Sequence, residues 1–94
     1  MAISFTMKAS VPEHVLFREL DGESVLLNLE SECYLGLDEV GTRMWAALTT
    51  SASVQAAFEE LMDEYDVDAE RLRSDLTRFI GELMEQGLVE VRAE

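Results

Sequence analysis

The sequence predicts an α+β domain, three short strands followed by three helices, and three observations carry that reading. Apolar residues fall in short β-prone runs as far as Leu37. From Val40 onward they recur at helical spacing. Turn and cap residues stand at each changeover. A three-stranded antiparallel sheet followed by three helices within 94 residues has the dimensions of a winged-helix-like fold.

Residues 3–8 alternate apolar and polar and read as an optional fourth strand, interrupted before Val15 by Pro12. Val15-Leu16-Phe17-Arg18-Glu19-Leu20 is rich in β-formers and stops at Asp21-Gly22, a pair suited to a two-residue hairpin turn. Ser24 to Leu29 follows, with Val25, Leu27 and Leu29 on one face. Glu30-Ser31-Glu32 is turn-like, and Cys33-Tyr34-Leu35-Gly36-Leu37 completes a meander. Asp38 is placed to cap the first helix, where Val40, Met44, Trp45 and Leu48 share a face, and Trp45 at that spacing reads as core. Ser53 caps the second, with Val54, Ala57, Phe58, Leu61 and Tyr65 as its stripe. Asp68 caps the third, residues 69–86, whose stripe is Leu72, Leu76, Phe79, Ile80 and Leu83. Gly87 sits where a helix stops, and Leu88 to Val91 reads as an apolar tail packed back onto the rest. Without repeats or linkers, residues 1–94 are expected to form a single domain.

Hydrophobic residues make up 48% of the chain, enough for one modest core and too few for a deep interlobe cleft. There is no apolar run of membrane-spanning length and no signal-peptide-like start, and the single cysteine, Cys33, fits a reducing compartment. The expected location is the cytoplasm. Twenty acidic against seven basic residues give a net charge of −13. That balance repels nucleic-acid phosphates and anionic membranes. It would draw in a basic peptide or a basic protein surface, although solubility alone accounts for the charge equally well.

Catalysis has little to work with. A lone histidine, His14, forms no ligand cluster or triad, and Cys33 in an apolar strand reads as a small buried hydrophobe. No catalytic residue, metal site or cofactor is expected. The acidic run from Asp63 to Glu70 fails as a calcium loop: counted from Asp66, the sixth residue is Arg71 rather than glycine and the twelfth is Thr77 rather than glutamate. The third helix offsets Arg71, Arg73 and Arg78 with Glu70, Asp75, Glu82 and Glu85, so it is not a DNA-recognition helix. An interaction surface remains. The strand Cys33 to Leu37 leads directly into a helix and has one evident strand neighbour, which leaves an edge that another extended chain can join. Periodicity leaves three occupants open: an incoming peptide, residues 3–8, or a second copy.

Tyr34-Leu35-Gly36-Leu37-Asp38-Glu39-Val40-Gly41-Thr42-Arg43-Met44-Trp45 resembles the signature stretch of PqqD-like proteins. The stretch from Ser53 to Asp68 and the helix ending Phe79-Ile80-Gly81-Glu82-Leu83-Met84-Glu85-Gln86-Gly87-Leu88-Val89 extend the likeness over about residues 13–91. The resemblance implies a RiPP recognition element, a peptide chaperone that binds the leader of a ribosomally made precursor without bond chemistry. On that implication the leader adds as a strand to Cys33, Tyr34, Leu35, Gly36 and Leu37. It packs against a flank of the third helix made of Arg71, Asp75, Arg78 and Phe79. Leu35→Pro is expected to disable the edge.

The stretch from Gly36 to Trp45 is most similar to freestanding proteins of lasso-peptide clusters, which implies a cysteine-protease leader peptidase as partner. A radical SAM enzyme in another RiPP or PQQ pathway is the alternative. An acidic adaptor and a winged-helix DNA-binding regulator are the more distant ones. The family often carries an aromatic where Cys33 or Leu35 stands, so the leader pocket is expected to differ in shape.

Overall fold

A computed structural model describes residues 5–92, which form β1 (Lys8–Ser10), β2 (Val15–Leu20), β3 (Glu23–Asn28), β4 (Cys33–Leu37), α1 (Glu39–Thr50), α2 (Val54–Glu64), α3 (Ala69–Glu85) and β5 (Glu90–Arg92). The antiparallel sheet runs β2-β3-β4, and the three helices follow it as the sequence predicts. Of the optional strand at residues 3–8, residues 3 and 4 lie outside the described part. The strand that does form begins at Lys8 and pairs with β5, from Lys8↔Arg92 to Ser10↔Glu90. It therefore leaves β4 uncovered. That second ribbon joins the two ends of the chain, and alternation alone carries no trace of so distant a pairing.

Asp21 and Gly22 adopt φ of 55° and 85°, the two positive values of the hairpin turn that suits the right-handed twist of β2 and β3. Each predicted helix cap is in place. Asp38 accepts from the Gly41 N–H at 2.8 Å, Ser53 from Ala56 at 3.1 Å, and Asp68 from Arg71 at 3.3 Å. The first N–H groups of α2 have a further answer, because Val54 and Gln55 donate to the carbonyls of Met7 and Phe5. Arg73 lies over the rings of Phe5 and Phe58, 4.5 and 4.8 Å from their centroids, and holds the N-terminal segment to α2 and α3. α3 ends on Gly87 at φ 70°, where Gly87 N–H reaches Met84 O and Leu88 N–H reaches Leu83 O.

The core joins Leu26 and Leu37 of the sheet to Trp45, Leu48, Leu61, Leu76, Ile80 and Leu83 of the helices, with Leu88 and Val89 folded onto it as expected. Three sequence expectations change. Val25 and Leu27 do share a face of β3, but the buried alternation is Ser24, Leu26 and Asn28. Polar groups occupy that inner face because they find partners there. Ser24 and Thr42 share a buried 2.7 Å hydrogen bond, and Asn28 donates to Gln86 O at 3.0 Å while accepting from the N–H groups of Glu30 and Ser31. Val40 is exposed rather than core, and lies open to solvent at the start of α1. Cys33 is exposed as well, being the first residue of an edge strand.

Arg43 on α1 donates to both Glu60 and Glu64 on α2 and ties the two helices together. The hydrogen bond from Arg43 holds the Glu64 carboxyl below its ordinary range against an opposing effect of burial, and the same contacts raise Arg43. A depressed carboxyl contributes stability above its unfolded value and loses it as pH falls through the folded one. The melting-temperature gap between wild type and Arg43→Met is therefore expected to hold from neutral pH down to the ordinary carboxylate range and to close below it. A gap that persists in acid would show that Arg43 acts by packing alone.

Candidate functional site: an open strand edge beside an apolar hollow

β4 pairs with β3 on one side, from Ser24↔Leu37 to Asn28↔Cys33, and has no strand on the other among the described residues. The tight turn decides which main-chain groups that open side presents. In a two-residue hairpin the closing pair, here Leu20↔Glu23, exchanges both main-chain hydrogen bonds, and such pairs alternate along a ladder. Glu23, Val25 and Leu27 thus bond toward β2, which the Leu29 N–H continues by donating to His14 O. Ser24, Leu26 and Asn28 bond toward β4, so Cys33, Leu35 and Leu37 are spent on the ladder. The N–H and C=O of Tyr34 and Gly36 point outward. Leu35→Pro would accordingly break the sheet itself, and Gly36→Pro is the substitution that addresses the edge.

α3 packs on α2, while β4 packs on α1. Next to α1, which follows β4 directly, an apolar hollow of about 140 Å³ is lined by Val40, Met44, Tyr65, Val67, Arg71, Leu72 and Asp75. Of the predicted helix residues, Arg71 and Asp75 line this hollow, whereas Arg78 and Phe79 do not. Phe79 is half-buried on the rim of the core, as is Leu35 on β4. The Asp75 carboxylate sits between Arg71 and Arg78, at 3.9 and 3.7 Å. These contacts are long and solvent-exposed, so they hold little energy and the side chains remain available to an incoming chain.

Val40, Met44, Tyr65 and Val67 were not among the predicted site residues. The signal that could have found them is an apolar residue immediately after a cap, Val40, and another in a polar turn, Val67, neither with a core role. No group of three His, Cys, Asp or Glu residues could hold a metal ion among the described residues. No helix among them is long and apolar enough to cross a membrane.

Two solved structures share this fold. One is described as "TbiB1 in Complex with the TbiA(beta) Leader Peptide", with a TM-score of 0.80 and 32% identity over 86% of this chain and 94% of that one. The other is "Lasso peptide synthetase B1 complexed with the leader peptide", with a TM-score of 0.78 and 20% identity over 88% and 98%. No curated protein matched the chain. The family described as Coenzyme PQQ synthesis protein D (PqqD) matches residues 23–89, from the first residue of β3 through the buried Val89 that follows α3. On that match, and on a strand-and-helix arrangement shared with a 32% identical protein, the chain belongs to the PqqD family.

Proposed function

We propose that this protein, acting as one domain over about residues 13–91, binds the leader of a ribosomally synthesised precursor peptide. It then presents that leader to a maturation enzyme, the cysteine-protease leader peptidase of a lasso-peptide pathway. The observation that carries the reading is the unpaired edge of β4, which leads directly into α1 and the apolar hollow that α1 shares with α3. A 32% identical protein of the same fold was solved with a leader peptide bound. The leader extends along Cys33 to Leu37 and bonds to the outward groups of Tyr34 and Gly36. Main-chain pairing reads no sequence, so selectivity comes from leader side chains that reach α3. Phe79 offers an apolar wall there, and Arg71, Asp75 and Arg78 offer charge-assisted partners. The role needs no catalytic group of its own, because holding the leader raises the effective concentration of the attached core peptide at the enzyme.

Titration with two labelled peptides tests the reading: the leader of the precursor encoded beside this gene, and the TbiA(beta) leader. Saturable binding of the first is expected. Failure of both, with the full precursor also failing to bind, removes the proposal. Phe79→Ala is expected to weaken binding about tenfold by removing apolar contact area, with the fold retained because this ring is only half-buried. Unchanged affinity would put the anchor elsewhere on α3.

A further inference from the structure

Antiparallel sheets that face water on one side carry polar residues there. The face of the β2-β3-β4 sheet turned away from the helices carries two charged side chains, Arg18 and Glu23, and is otherwise mainly apolar. Leu16, Leu27 and Tyr34 stand side by side across it, the first two on β2 and β3 and the third on β4. Val25 is the neighbour in the next row, with Gly36 beside it. Leu16 is 44%, Val25 45%, Tyr34 74% and Leu20 78% exposed, so nothing among the described residues covers them. A shallow hollow of about 560 Å³ opens over Val25 and Gly36, with Arg18, Glu19, Glu23 and Asp38 at its border. The β1–β5 ribbon packs at α1 and leaves this face clear. A contiguous apolar surface of this kind marks an interface.

The surrounding charge selects the occupant. Asp21 and Glu23 border the face at the β2–β3 turn, and Glu30 and Glu32 border it at the β3–β4 turn. In a chain of net charge −13, a second copy would bring acidic rim against acidic rim. Nucleic acid and anionic membrane are repelled for the same reason. We propose that the outer sheet face docks a second protein whose contact patch is apolar at its centre and ringed by Lys and Arg. This rests on the leader reading above: that protein is the maturation enzyme. It binds while the leader occupies the edge, because the leader uses the main chain of β4 and the enzyme uses the face beside it. The bound leader then emerges next to the enzyme.

The test uses the full-length protein, its leader peptide and the purified leader peptidase encoded with it. Leu16→Thr/Val25→Thr keeps β-forming residues at two exposed positions and so keeps the fold, which thermal unfolding checks. The double variant is expected to bind leader within about twofold of wild type and peptidase at least about tenfold more weakly. Wild-type peptidase binding is expected to weaken as salt rises from about 50 to about 500 mM, and to persist with leader bound. The inference is overturned if the double variant binds peptidase like wild type, if leader and peptidase compete, or if the wild type self-associates through these residues. It is equally overturned if wild type binds leader but no peptidase. Peptidase binding without leader binding would instead sustain this surface and remove the leader reading.

Discussion

Gly36→Pro is expected to reduce leader affinity at least about thirtyfold, about 2 kcal/mol, while the protein stays folded. Gly36 bonds outward, so its N–H is not part of the β3–β4 ladder, and a proline there removes a donor that only an added strand would use. Proline is tolerated on edge strands for this reason. A Cβ placed on Gly36 meets nothing within 4 Å, and the N–H side where the ring closes is the open edge of the sheet. The expected loss exceeds one hydrogen bond because the ring also stands where the incoming backbone must approach. Gly36→Ala separates the causes: it restores the donor and is expected to keep most of the affinity. Leu35→Pro, by contrast, should lower the melting temperature before it says anything about binding. If Gly36→Pro binds leader as wild type does, the leader does not pair with β4.

The contrast between positions 35 and 36 marks where sequence reading stops. Asp21-Gly22 fixes the hairpin by local φ preferences, and Asp38, Ser53 and Asp68 cap their helices through bonds spanning three residues. Such local chemistry is legible in a single sequence, and so are the strand and helix proposed to hold the leader. Which main-chain groups of β4 face outward is not a property of its own residues. It is inherited from a turn on the far side of β3. The polar inner face of β3 was illegible for a related reason. Asn28 reads as a strand end until the carbonyl of Gln86 comes within 3.0 Å of its side chain. The hollow draws on α1, the α2–α3 turn and α3, so no single period reveals it. Even the apolar alternation Val25-Leu27 misleads if every such stripe is taken as core, because here it belongs to the outer face.

Gly87→Ala is the substitution expected to cost the fold most, about 3 kcal/mol, or about 12–24 °C in melting temperature. Gly87 holds φ at 70°, a conformation that strains any residue with a Cβ. A Cβ there would also lie 2.8 Å from Asn28 Nδ2. That amide cannot swing aside freely, because it is buried and donates to Gln86 O while its oxygen holds the Glu30 and Ser31 N–H groups. The two costs come from different sources, backbone strain and a displaced hydrogen-bonded side chain, and a double-mutant cycle separates them. Asn28→Ala alone is expected to cost about 2 kcal/mol. With Asn28 already truncated, Gly87→Ala should cost about 1 kcal/mol less than in wild type, since only the backbone strain remains. Strict additivity would show that the clash is relieved by local movement. The consequence reaches the proposed leader site, because Asn28 ties the C-terminal end of α3 to the strand paired with β4. Gly87→Ala should therefore weaken leader binding at temperatures well below its own melting point, although residue 87 is not one of the proposed leader contacts.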